Sequence, residues 1–163
     1  REKGGLSSIG WSGKNIFRSL YLGIGLGIIF AIEGAIANSF KYGGLSLADI
    51  PYFGLESLIF ALGISLVTAI TEETVFRGFI FSRLWNFFKD EWQANLLTSL
   101  GWVLVHLPIT IFAFHYSPPQ ILSYFLLAFI FGLDSSFVYV RTGTIVASVL
   151  LHVFWSWPIL LFR

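Results

Sequence analysis

Five apolar stretches take up nearly the whole chain, and they narrow its possible folds more than any other feature. They run roughly over residues 16–39, 52–88, 93–114, 120–140 and 144–162. A helix needs about 20 apolar residues to cross the hydrocarbon core of a bilayer, and each stretch reaches or approaches that length. Lipid offers the backbone no hydrogen-bond partners, so a crossing segment satisfies its own N–H and C=O groups by coiling into a helix. The stretches are separated by turn signals: "KYGGLSLADIP" at 41–51, "HYSPPQ" at 115–120 and "RTG" at 141–143. The pattern predicts an all-α, polytopic transmembrane bundle of about five helices. The second stretch would be near 50 Å long at ~1.5 Å per residue, so it must tilt, bend or protrude. Pro108, inside the third, predicts a kink.

Composition supports a membrane setting and removes several functions. Only 12% of the 163 residues are charged, about half the share usual in soluble domains, and mean hydropathy is +0.79. A net charge of +1 supplies no basic field for nucleic acid. With no cysteine there is no disulfide, thiolate metal site or cysteine nucleophile. The polar start "REKGGLSSIGWSGKN" and the absence of methionine suggest one transmembrane domain over residues 1–163 that is a piece of a larger bundle. Orientation follows from lysine and arginine. Arg1, Lys3, Lys14, Arg18, Arg83, Lys89 and Arg141 fall on one side of alternating helices; Lys41 and Arg163 fall on the other. The larger group marks the cytoplasmic face, and a multi-pass protein of the cell membrane is expected.

Against this apolar background stands "TEETVFRG" at 71–78. An ionisable side chain at depth costs at least about 2.5 kcal/mol, so it faces the bundle interior and needs a partner. Glu73 and Arg77 are spaced i, i+4 and can neutralise each other on one helix face. Glu72 points about 100° away and has no local partner. His106 in the third helix and His152 in the fifth are the polar groups that can meet it. Counted from the helix ends at ~1.5 Å per residue, Glu72, His106 and His152 lie roughly 17, 20 and 12 Å deep, at similar levels. A glutamate with two imidazoles can activate water and stabilise an oxyanion, or it can hold a metal. Glu33 and Asp134 read as structural acids, Asp134 within reach of Arg141, and His115 as a solvated loop residue.

The residues "EETVFRG" resemble the EExxxR signature of the CPBP intramembrane proteases, the Abi or CAAX amino-terminal protease family that includes type II CAAX prenyl endopeptidases. Trp102-x-x-x-His106, with Ser99 before it, is similar to that family's FxxxH motif; His152-x-x-x-Ser156, preceded by "RTGTI", is similar to its HxxxN motif. The likeness covers a protease-like core over about residues 60–160. It implies that Glu72 and His106 hold and activate the attacking water. It also implies that His152, with Ser156 in place of asparagine, forms the oxyanion hole, and that Glu73 and Arg77 are structural. Trp102 for phenylalanine keeps an aromatic ring. Ser156 for asparagine keeps a donor on a shorter arm, which predicts a slow enzyme. The expected function is therefore a metal-independent glutamic endopeptidase that needs no cofactor. Its partners are the lipid bilayer and a membrane-associated or prenylated peptide, with no nucleic acid, reached through a cavity open to the cytoplasm. Two alternatives stand beside it. One is a metal-dependent hydrolase with Glu72, His106 and His152 as ligands. The other is a non-catalytic scaffold or immunity-type protein of the same fold, which Ser156 favours.

Overall fold

The computed structural model describes residues 5–44 and 55–161. A short 3-10 turn, Leu6–Ile9, precedes α1, Ile16–Tyr42. Helix α2, Leu55–Glu73, runs on through a π-helical stretch, Thr74–Phe81, into α3, Ser82–Phe88. Helix α4, Glu91–Pro108, passes into a second π-helical stretch, Ile109–Ala113. Helices α5, Pro118–Thr142, and α6, Val146–Leu161, complete the bundle. Four helical spans are long and apolar enough to cross a membrane: Ile16–Phe40, Ile59–Phe88, Glu91–Ala113 and Pro118–Thr142. Val146–Trp157 is a shorter apolar helix. The described residues contain no strand, and the fold is the all-helical membrane bundle expected. Residues 45–54, with the break expected around Pro51, lie outside the described residues, as do Arg1, Lys3 and Arg163.

Local chemistry sets the helix ends. Gly43 and Gly143 turn left-handed, at φ 77° and 71°, and return their N–H groups to Ser39 and Tyr139, a conformation that glycine adopts at no steric cost. Asp90 caps α4 by accepting from the Gln93 N–H at 2.7 Å. Ser117 and Gln120 form a capping box at the start of α5, with proline in its first turn. Pro108 does not break its helix. The chain widens into π turns directly after it, which accommodates the missing N–H and the bulk of the ring. The long second stretch likewise stays continuous and widens in its middle.

Helix α6 is the axis of the packing, with α1, α2 and α5 against it. Close approach rests on small residues. A Cβ added to Gly23 would lie 2.8 Å from the Ala147 carbonyl oxygen, and one on Gly27 would lie 2.8 Å from Phe154 Cβ. On α2 the buried stripe is Ala61, Ser65 and Ala69, and it continues at the same spacing into Glu73 and Arg77. The core joins Phe30, Trp102, Phe131, Val138, Leu151 and Trp155; Phe131 and Trp155 stack at 4.4 Å and 13°. Phe60, Val67, Phe112 and Leu122 are outward-facing and exposed, as lipid contact requires. Helix α4 packs on α5, on α3 and on the π-helical stretch that follows α2, while α2 packs on α6.

The segment before α1 seals one end of the bundle. The Gly10 carbonyl accepts from Ile145 N–H at 3.0 Å, the Ser12 carbonyl from the Thr144 hydroxyl at 2.9 Å, and the Thr142 carbonyl from the Asn15 amide at 3.0 Å. Trp11 donates to the Thr74 hydroxyl at 3.1 Å. The Ile9 carbonyl sits where a side chain on Gly78 would have to go. Arg141 pairs with Glu91 across 3.4 Å at this same end. Lys14, Lys89 and Arg141 are thus brought to one end, and Lys41 lies at the other end of α1.

Candidate active site

Glu73 is fully buried and has three partners rather than the single one its spacing suggests. One carboxylate oxygen accepts from Arg77 at 3.1 Å and faces His152 Nδ1 at 2.8 Å. The other accepts from the Ser135 hydroxyl at 2.7 Å. Arg77 spans to the opposite helix with a second bond, to the Gly132 carbonyl at 3.0 Å. Its guanidinium lies 5.4 Å from the Trp102 ring centre and 5.8 Å from that of Phe131. A buried ion pair is tolerable when most of its remaining donors and acceptors are satisfied; the Arg77 Nε–H has no hydrogen-bond partner among the described residues. The carboxylate accepts only, so it fixes a proton on His152 Nδ1 and turns Nε2 away from Glu73. Trp102 at 5.8 Å and Phe131 at 5.0 Å hold that ring edge-on.

Glu72 is the second centre. Its Oε2 accepts from the Trp102 indole N–H at 2.7 Å and lies 3.8 Å from His106 Nε2. His106 Nδ1 is 2.7 Å from the Trp102 carbonyl, so it carries the proton and leaves Nε2 as the acceptor of the neutral ring. A separation of 3.8 Å is too long for a direct hydrogen bond, and one water can bond to both side chains. The Glu72 and His106 side chains are 25% and 20% exposed, while the Glu73 side chain is wholly enclosed.

The remaining expected residues divide. Ser156 stands one turn after His152, and its hydroxyl is buried with no hydrogen-bond partner among the described residues. It therefore does not turn back onto the His152 carbonyl, an alternative its short side chain allows. Ser99 bonds Asn95 at 3.0 Å and packs on Gly132, which joins α4 to α5. Asp134 does not take Arg141, which meets Glu91 and lies over the Phe137 ring. Glu33 is half-buried beside Trp155, with one oxygen buried and unbonded. His115 is exposed in its turn. No three His, Asp or Glu side chains among the described residues form a metal-holding group, so Glu72, His106 and His152 are not arranged as a ligand set.

Two contributors were missed in the sequence. Ser135 gave no signal beyond its place in "LDSSF". Trp102 gave one: a buried indole N–H seeks an acceptor, and the nearby acids are those of the 71–78 octet.

The family model for type II CAAX prenyl endopeptidases of the Rce1-like kind matches residues 54–158. No curated protein and no solved structure matches the chain. The match runs from α2 to α6 and takes in every helix that supplies Glu72, Glu73, Arg77, His106 and His152. The chain belongs to the Rce1-like family of type II CAAX prenyl endopeptidases.

Proposed function

We propose that this multi-pass membrane protein is a glutamic endopeptidase that works without metal and cuts a peptide bond in a prenylated or otherwise membrane-held peptide. The observation that supports it most is the pairing of two differently exposed carboxylates. Glu72 sits partly open, 3.8 Å from His106, and Glu73 is buried and tied to His152.

In this reading a water lies between Glu72 and His106. Glu72 takes one of its protons through the free oxygen Oε1. The water oxygen bonds to the peptide carbonyl carbon, and the C=O electron pair moves onto oxygen. His152 Nε2–H and the Ser156 hydroxyl donate to that oxyanion. Because Nδ1 already holds a proton for Glu73, donation from Nε2 requires the imidazolium form of His152; Glu73 offsets Arg77, and the developing oxyanion offsets the imidazolium. The tetrahedral carbon then re-forms C=O and the C–N bond breaks. The proton held on Glu72 passes to the leaving nitrogen. The prenyl chain or other apolar anchor stays in lipid. The end of the bundle that carries Lys14, Lys89 and Arg141 faces the cytoplasm, in the cell membrane.

The test is incubation of the protein, purified in detergent, with a prenylated CAAX peptide and its unprenylated counterpart, read by mass spectrometry. One new carboxyl terminus on the prenylated peptide supports the reading. An intact peptide after prolonged incubation, in both detergent and liposomes, rejects it.

A further inference from the structure

Trp102 lies against Glu72, His106, His152 and Arg77. Its indole N–H donates to Glu72 at 2.7 Å, and its carbonyl lies 2.7 Å from His106 Nδ1. Its ring lies 4.5 Å from the His106 ring, 5.8 Å from that of His152 and 5.4 Å from the Arg77 guanidinium. It is wholly buried. Packing alone accounts for an aromatic ring here, and a phenylalanine would fill the core in a similar way. What phenylalanine lacks is the N–H.

The geometry points to Trp102 as the positioning residue of the water-activating pair, an inference that rests on the peptidase reading above. Its side chain fixes the base and its main chain fixes the histidine. A glutamate that is 25% exposed has several side-chain rotamers open to it, and each places the basic oxygen elsewhere. The indole bond selects one of them. It occupies Oε2 and leaves Oε1, which has no hydrogen bond among the described residues, to face the water. The Trp102 carbonyl sets the tautomer and tilt of His106, so that Nε2 faces the same carboxylate. Trp102 itself touches neither water nor substrate in this account. It acts by holding two groups at a fixed spacing, and a displacement of about 1 Å in such a pair can cost on the order of 10²-fold in rate.

The decisive variant replaces the N–H while keeping the bicyclic ring. Trp102→Phe keeps an aromatic ring. Incorporation of β-(3-benzothienyl)alanine at position 102 keeps the bicyclic shape and puts sulfur in place of N–H. Each is assayed on the prenylated peptide beside wild type, and the indole N–H band is followed by ultraviolet resonance Raman. We expect kcat to fall about 10- to 100-fold in both variants, with KM within about twofold, and thermal stability unchanged in the benzothienyl protein and lowered in Trp102→Phe by the smaller ring. The Trp102 contribution, read as the difference spectrum between wild type and the Trp102 variants, should show a hydrogen-bonded indole band that is altered in Glu72→Gln. Wild-type kcat in the benzothienyl protein, or a band indifferent to Glu72→Gln, overturns the inference. If wild type cleaves nothing, the peptidase reading fails; a Glu72-dependent band then still shows that Trp102 holds Glu72.

Discussion

Ser156 carries a buried hydroxyl with nothing bonded to it among the described residues, on the same face of α6 as His152, whose Nε2 is turned away from Glu73. A hydroxyl without a ground-state partner loses nothing when it donates to a developing oxyanion, but it reaches less far than an amide. Ser156→Asn should therefore raise kcat, by up to about 10²-fold, with KM little changed. Steady-state kinetics on the prenylated peptide checks this, and a fall in kcat, or a silent Ser156→Ala, removes Ser156 from the oxyanion site. Glu73 predicts a different outcome. Its removal strands Arg77 and His152, both buried, and breaking a buried pair costs about 3–5 kcal/mol. Glu73→Gln should thus show a large drop in melting temperature or yield before any kinetic effect is read. At this scale the sequence was legible where one residue neutralises another nearby, as with Glu73 and Arg77. It was not legible where the partner comes from a distant helix. Ser135 reaches Glu73 across 62 positions of sequence, and no local pattern announces that bond.

The helices themselves were written in the apolar runs, and their starts and stops in the Gly, Pro and capping residues. The π-helical stretches were not. A run of apolar residues reads alike whether its turns hold 3.6 residues or more, and the widening after Glu73 and after Pro108 depends on what each segment packs against. Gly78 is the clearest case. It lies within the first π-helical stretch, and the Ile9 carbonyl occupies the space its side chain would need. Gly78→Ala should displace the segment before α1, lower thermal stability by about 1–3 kcal/mol and increase protease cutting near Trp11. Unchanged stability and an uncut N-terminal segment would show that this contact does not hold the element in place. The expected fit of Asp134 to Arg141 failed at this scale too, because Arg141, at the end of α5, reaches Glu91 at the start of α4.

At the scale of the molecule, the bundle keeps one glutamate partly open, 25% exposed, beside a second that is wholly enclosed. Chelators give one test of how the open glutamate works. EDTA or phenanthroline should leave cleavage intact, and reversible loss restored by zinc would transfer the account to a metal mechanism. The central claim is that Glu72, and not the buried Glu73, activates the water. Glu72→Gln tests it most directly, since the amide keeps the size of the side chain and an oxygen for the Trp102 indole but cannot take a proton. The measurement is the initial rate of prenylated-peptide cleavage by Glu72→Gln and wild type, each first shown to be folded by its melting temperature. The account predicts a folded variant with no detectable cleavage; a folded Glu72→Gln protein that cleaves at a rate comparable to wild type would contradict it.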